Sequence, residues 1–160
     1  MAKIKIAQYW GAGCGGCDVA LLDIDAPHGD GTRDLFSTDP DILHVCLCGA
    51  DYESPDGTKV DVACPSPWSG SSCDRPMNER YLDLVARHFP DRTRRFGPDL
   101  IFWYFGFDTH EGDYGDIGLS GPCYWDIALL MRDLAGELCR GRLEVVLGGG
   151  SQTRLATSLI

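Results

Sequence analysis

The stretch that decides the fold is LIFWYFGFDTHEGD, residues 100–113. Its first six residues are apolar, which is typical of a strand buried on both faces of a parallel sheet. The acidic turn that follows places Asp108, His110 and Asp113 shortly after that strand. Open α/β folds hold their sites at the carboxyl ends of strands, so this stretch predicts a site at one edge of a sheet. We expect His110 to be a loop residue bonded to backbone.

A second acidic stretch, DIDAPHGDG at residues 23–31, also combines carboxylates with a histidine and glycines. Carboxylate and imidazole groups are the ligands that hydrolytic zinc sites use. Residues 19–25 have two interpretations: a buried strand that delivers aspartates to a site, or a helix that follows a glycine-rich turn. The aspartates also have a plainer interpretation, because Asx turns in glycine-rich loops use the same residues.

Further strands are predicted on both sides of these two stretches. Residues 42–48 and 143–147 are short apolar runs of the kind that suits buried strands, and residues 3–10 alternate polar and apolar side chains. We therefore expect an α/β fold in which a mostly parallel sheet is sandwiched by helices.

Two helices are predicted between the strands. Asn78 can cap the first, which we expect to stop at Pro90. Ser120 can cap the second, with Pro122 in its first turn. Residues 53–76 are rich in Ser, Pro, Gly and Asp, and we expect them to form a long surface loop.

Composition limits the function classes. With 160 residues, 44% of them hydrophobic, the chain suits a single domain with a real core. Its net charge of −10 argues against a nucleic-acid partner. No apolar run approaches the ~20 residues of a membrane span. Eight cysteines without a signal sequence argue against a disulfide framework. We expect a cytoplasmic protein with no membrane partner; its oligomeric state stays open.

The two acidic stretches, in this order, resemble the zinc-dependent deacetylases of the histone deacetylase, acetoin-utilisation and acetylpolyamine amidohydrolase superfamily. The segments FWYFGFDTH, residues 102–110, and GDGTRDLF, residues 29–36, are specific to this resemblance. It extends over about residues 19–160 and implies the C-terminal half of the arginase/deacetylase fold, with the N-terminal half of that family missing. The intact family hydrolyses acetyl-amide bonds.

The resemblance also implies a zinc site. Asp25 matches the family's first aspartate ligand and Asp113 its second. Pro27 stands where the family has its zinc-binding histidine and cannot ligate through its side chain. His28, one residue later, is the candidate replacement; on a strand it would face the other way, but a turn could bring it back.

The catalytic groups of the family are matched only in part. Asp23 and Asp30 fall where the family has aspartates that orient catalytic histidines, but the tandem histidine pair itself has no counterpart here. Ser151 follows a glycine-rich stretch that usually presents a catalytic tyrosine, and serine reaches less far. We therefore expect a deacetylase-like domain that is truncated and catalytically impaired, with a small acetylated molecule as its possible substrate. A non-catalytic binding domain is an alternative.

The N-terminal stretch YWGAGCGGCDVALLD, residues 9–23, resembles the start of the small subunit of nickel–iron and methyl-viologen-reducing hydrogenases. There the Cys-Gly-Gly-Cys turn supplies two thiolates to a four-iron cluster. This resemblance covers about residues 1–25, with residues 1–22 as a hydrogenase-like segment of a composite chain. It implies that Cys14 and Cys17 bind an iron–sulfur cluster in an electron-transfer module. Half a zinc site, a redox dithiol and a turn with unligated thiols are the alternatives, and the last is the one we favour.

Overall fold

The computed structural model describes residues 22–24, 29–64 and 75–159, in which six strands form one sheet. The strands are β1 (Leu22–Asp23), β2 (His44–Cys48), β3 (Tyr52–Glu53), β4 (Lys59–Ala63), β5 (Ile101–Phe105) and β6 (Leu143–Leu147). Their order across the sheet is β3-β4-β2-β1-β5-β6. Only the β3–β4 pair in this described sheet is antiparallel. The predicted mostly parallel α/β fold is confirmed.

Four helices accompany the described strands: α1 (Asp30–Leu35), α2 (Met77–Phe96), α3 (Gly121–Leu138) and α4 (Thr153–Leu159). Fully buried side chains of α2 and α3, including Val85 and Ile127, join Leu22 and Val45 of the sheet in one apolar core. Burying each such side chain contributes about 1.5–3 kcal/mol. Within the described parts of the chain, no helix is both long enough and apolar enough to cross a membrane.

Strand β1 resolves the ambiguity of the segment around residue 22. It pairs in parallel with β2 on one side and β5 on the other, so it occupies the middle of the sheet. Leu22 and Ile24 are fully buried, as the apolar residues of a central strand must be. The strand interpretation is therefore confirmed for residues 22–23. The strand predicted at residues 3–10 lies outside the described residues.

Helix α2 corrects the prediction that Pro90 ends it. The helix continues to Phe96 and ends at Gly97, whose positive φ of 65° suits glycine. Phe89 and Thr93 are both fully buried, and the Thr93 hydroxyl donates to the Phe89 carbonyl at 2.6 Å. Proline removes one backbone donor, but this packing on either side of it holds the last turns in place.

The predicted helix caps are also revised. Asn78 lies inside α2 and does not cap it. Its amide nitrogen donates to the Ser120 hydroxyl at 2.7 Å, and its amide oxygen accepts from the Ser120 N–H at 3.1 Å. Ser120 does stand at the N-cap of α3, with a proline in the first turn, but its side chain makes no capping bond. The two residues join the starts of α2 and α3 instead.

Strand β4 corrects the prediction of a continuous loop over residues 53–76. Val60 and Val62 are only 2% and 4% exposed and enter the core. Lys59 is also buried, and its ammonium donates to the carbonyl oxygens of Asp39 and Ile42 at 3.0 and 2.6 Å. Burial lowers the pKa of Lys59. The apolar pattern of β4 is only five residues long and lies among turn-forming residues, so it did not predict a strand. Residues 65–74 lie outside the described part of the chain.

Candidate functional site

The carboxyl ends of β1 and β5 bring the two acidic stretches to one edge of the sheet. Asp23 is the register partner of Tyr104, and the Ile24 N–H donates to the Tyr104 carbonyl at 3.4 Å. The predicted adjacency of the two strands is therefore confirmed. Asp25 and His28 lie outside the described residues, so their convergence with a downstream aspartate stays a prediction.

Asp113, the predicted second zinc ligand, is held by the loop that follows β6. Its Oδ1 accepts from the Tyr114 N–H at 2.8 Å and from the Ser151 hydroxyl at 2.9 Å. Its Oδ2 accepts from the Gln152 N–H at 3.0 Å, and the Ser151 N–H lies 3.0 Å from both oxygens. Both carboxylate oxygens thus accept hydrogen bonds, which fix the position of the group; ligating carboxylates are themselves hydrogen-bonded, so the ligand role of Asp113 stays a prediction.

These hydrogen bonds outweigh the effect of burial on the acidity of Asp113. Burial alone raises the pKa, but the N–H groups of Tyr114, Ser151 and Gln152 and the Ser151 hydroxyl together lower it below its usual value. The group is therefore a stable anion that anchors the loop.

Asp108 is a carboxylate to which the sequence analysis gave no specific role in the site. It follows β5 by three residues and is fully buried. Buried carboxylates are rare unless they are paired or bind a metal. The signal was present in the sequence, since a Gly-Phe-Asp turn comes directly after the apolar strand. Asp108 is therefore a second buried carboxylate after β5, beside Asp113.

The glycine-rich loop fits closely against the end of β5. A Cβ added to Gly148 would overlap the ring of Tyr104, and one added to Gly150 would overlap the ring of Phe107. Gly150 also has a φ of 129°, which favours glycine. Backbone bonds reinforce this fit, since the Gly148 N–H donates to the Phe105 carbonyl at 2.9 Å. Gly148 and Gly150 are therefore required because the loop backbone packs directly against the aromatic rings.

Asp23, predicted to orient a histidine, lies beside one. Asp23 and His44 are both fully buried, and their ligating atoms lie within 4.8 Å of each other and of the Cys46 sulfur. The histidine comes from β2, where the sequence analysis proposed no site. Because the pair is shielded from solvent, it cannot meet a substrate directly.

Two other sequence-predicted residues make local interactions, and only Asp30 of the two is exposed. Asp30 is exposed in the first turn of α1, where a carboxylate interacts favourably with the helix dipole. The His110 Nδ1 lies 2.8 Å from the Glu111 carbonyl, and its ring stacks on Tyr124. The prediction that His110 bonds to backbone is confirmed.

Cys14 and Cys17 lie outside the described residues. Five cysteines in the described part are free thiols; four of these, Cys46, Cys48, Cys123 and Cys139, are buried.

An apolar groove of about 260 Å³ lies between β5, β6, α3 and α4. Trp103, Trp125 and Leu159 are among its lining residues, and no carboxylate or histidine is. The groove is therefore separate from the acidic edge of the sheet.

Comparisons with known proteins identify relatives of the chain. The family profile described as Histone deacetylase domain matches residues 4–159. Histone deacetylase 10, chloroplastic, of Oryza sativa subsp. japonica is 29% identical over 141 residues, covering 82% of this chain and 31% of that protein. Histone deacetylase 7 of Homo sapiens is 30% identical over 151 residues, covering 82% of this chain and 15% of that protein.

Solved structures share the fold. The crystal structure of the HDA15 HD domain superposes with a TM-score of 0.66 at 23% identity, covering 86% of this chain and 41% of that one. The histone deacetylase Clr3 gives a TM-score of 0.65 at 24% identity, covering 86% of this chain and 24% of that one. The chain spans about a third or less of the curated relatives described above.

The family match also bears on the N-terminal segment. Residues 4–159 include Cys14 and Cys17, so the segment that resembles a hydrogenase falls within the deacetylase match. The comparisons lend no support to the hydrogenase resemblance or to an iron–sulfur cluster. The cytoplasmic location stays a prediction, and the rice relative is named chloroplastic.

Proposed function

The chain belongs to the histone deacetylase domain family, and we propose that it is a zinc-binding, deacetylase-like domain that hydrolyses acetyl-amides slowly or not at all. Its partner in this proposal is a small acetylated molecule. Absence of a nucleic-acid or membrane partner is part of the same proposal and rests on the charge of −10 and on composition.

The donor groups fit zinc in part. In this proposal Asp25 and His28 provide two ligands and Asp113 the third. The hydrogen bonds that the Asp113 oxygens accept hold its carboxylate in place, as hydrogen bonds to a metal-binding carboxylate commonly do. Pro27 has no side-chain donor at the position where the family has its histidine ligand. Bound zinc would supply polarisation of the substrate carbonyl and activation of a water. A site with one displaced ligand should bind the metal weakly.

The observation that carries the proposed impairment is the position of the Ser151 hydroxyl. It donates to Asp113 at 2.9 Å, while the Ser151 N–H donates to the same carboxylate. A hydroxyl whose proton points at a carboxylate is not available to a substrate carbonyl. Loss of such a donor typically lowers kcat by about 10²–10³.

The positions of His44 and His110 also support impaired catalysis. The carboxylate–imidazole pair of Asp23 and His44 is fully buried, and His110 is engaged with backbone. A general base must come within hydrogen-bond reach of the water it activates. Neither histidine suits that task, and loss of a positioned base typically costs about 10²–10⁴ in rate.

The experiment pairs a zinc titration with hydrolysis of an acetyl-lysine peptide, on the unmodified chain and on Pro27→His. We expect Pro27→His to raise zinc affinity by at least about tenfold, in line with the cost of perturbing a metal site, and to raise turnover far less. Glu111→Gln, an exposed change in the same loop as Asp113, is the control and should alter neither quantity. Strong turnover by the unmodified chain, lost in Asp113→Asn, would contradict the proposal.

A further inference from the structure

Strand β6 is the outer strand of the described sheet, next to β5. The Arg142 carbonyl and the Gly148 N–H both bond to β5, at 3.1 and 2.9 Å. Backbone groups alternate in direction along a strand, so Leu143, Val145 and Leu147 direct their N–H and C=O groups away from β5. No described strand pairs with that side of β6. A row of such groups is a template for a further strand.

The usual protections of an edge strand are sparse in β6. Natural edge strands carry lysine, proline or a bulge that discourages pairing. The sequence of β6 is LEVVL, in which Glu144 is the one charged residue. All five residues pair with β5 in continuous register, without a bulge. The edge is therefore regular enough to accept an added strand.

One face of the edge is apolar. Trp125, Val145 and Leu147 are 67%, 44% and 60% exposed, and all three line the groove of about 260 Å³. They are three of the six large apolar side chains that are exposed in the described part of the chain. Apolar side chains gathered in this way mark interaction sites. Alternate side chains of a strand added to β6 would enter the groove, because Val145 and Leu147 share its face of the sheet.

The other face of the edge is acidic. Glu144 is exposed and, between Leu143 and Val145, points to the face opposite the groove. The remaining side chains of an added strand would lie beside it. Opposite charges on neighbouring strands attract and like charges repel, and the chain as a whole carries a charge of −10. Cationic side chains therefore suit this face.

We propose that β6 and the adjoining groove are a docking site for an extended segment of a partner protein in which apolar side chains alternate with lysine or arginine. The segment continues the sheet beyond β6, with its apolar side chains in the groove and its cationic ones beside Glu144. In strand addition, main-chain hydrogen bonds give affinity and alternate side chains give specificity. The site needs neither zinc nor hydrolysis, so it stands or falls apart from the proposed function.

The test is a fluorescence anisotropy titration of a labelled eight-residue peptide, in which valine alternates with lysine, with the full chain. We expect saturable binding. The control peptide has the same composition but places four lysines before four valines. It should bind at least about tenfold more weakly, because it cannot present its apolar and cationic side chains to opposite faces.

A charge exchange tests the acidic face. Glu144→Lys should weaken binding of the valine–lysine peptide by at least about tenfold and strengthen binding of a valine–glutamate peptide by a similar factor. Glu111→Lys changes the net charge equally at another exposed position, and it should alter both affinities much less. Equal effects of the two variants would show that the peptides respond only to net charge, which would overturn the proposal.

A proline tests the backbone pairing. Val145→Pro removes an N–H that points away from β5, a position where a sheet tolerates proline. We expect it to weaken binding of the valine–lysine peptide by at least about tenfold, with the fold checked by circular dichroism. Glu144→Lys, an exposed change, covers the case in which Val145→Pro fails to fold.

Two further outcomes would overturn the proposal. The first is the absence of saturable binding of the valine–lysine peptide. The second is a dimer of the peptide-free chain, measured by sedimentation, that Val145→Pro dissociates, since that would assign the edge to a second copy of the chain.

Discussion

Ser151 donates both its backbone N–H and its hydroxyl to the carboxylate of Asp113. The contact joins the loop that follows β5 to the loop that follows β6, and it spans 38 positions of sequence. It fixes the one residue that stands where the family resemblance calls for a catalytic hydroxyl.

We expect Asp113→Asn to destabilise the fold at neutral pH. The amide would turn an N–H group toward the Ser151 and Gln152 donors and leave a buried N–H unsatisfied, at a cost of about 1–3 kcal/mol. Chemical denaturation measures the change in the free energy of unfolding. Glu111→Gln, which removes an exposed carboxylate from the same loop, should change it by less than about 0.5 kcal/mol. Equal stability of the two variants would show that the contact is dispensable.

The Asp113 contact should also make stability depend on acid pH. The pKa of Asp113 is lowered in the folded state, so its contribution is fully present above the unfolded value of about 3.9 and is lost as pH falls through the folded pKa. The difference in unfolding free energy between the unmodified chain and Asp113→Asn should therefore be constant above about pH 5 and shrink below about pH 4. A difference that grows on acidification would refute this assignment.

Gly148→Ala should disturb the glycine-rich loop, because its Cβ would overlap the ring of Tyr104. The cost of such overpacking is about 1–3 kcal/mol. Gly136→Ala is the matched control: it lies in α3 with open space around it, and it should stabilise the helix by up to about 1 kcal/mol. Opposite shifts in Tm for the two glycines are the expected result, and a neutral Gly148→Ala would show that the loop can move away from Tyr104.

Asp108 and Asp113 should respond differently to zinc. In the Pro27→His chain, we expect Asp113→Asn to weaken zinc binding by at least about tenfold and Asp108→Asn to have a smaller effect. Isothermal titration measures both. The reverse order would identify Asp108 as the ligand in place of Asp113.

The elements with strong local signals were predictable from the sequence. The run at residues 143–147 coincides with β6, and β5 begins within one residue of its predicted start, because continuous apolar runs bounded by turns leave little choice of structure. Strand β4 was missed since its five residues are embedded among turn formers. The end of α2 was misplaced because the packing of Phe89 and Thr93 outweighs the effect of Pro90.

The site was predictable only where its residues adjoin a strand end. Asp23 beside β5 followed from the sequence, but the neighbourhood of Asp23, His44 and Cys46 depends on the register between β1 and β2, which no local pattern encodes. In the same way, the hydrogen bonds from Ser151 to Asp113 depend on two loops that meet only after the sheet has formed. The assignment of Asp113 to a metal stays a prediction, whereas its contact with Ser151 could not be predicted from the sequence.

The most direct test of the central claim is the turnover of an acetyl-lysine peptide by the unmodified, zinc-supplied chain, with and without a chelator. The account predicts a rate close to that of buffer and the same rate after chelation, because the Ser151 hydroxyl donates to Asp113 and neither His44 nor His110 suits the role of general base. Chelator-sensitive turnover that Asp113→Asn abolishes would contradict it.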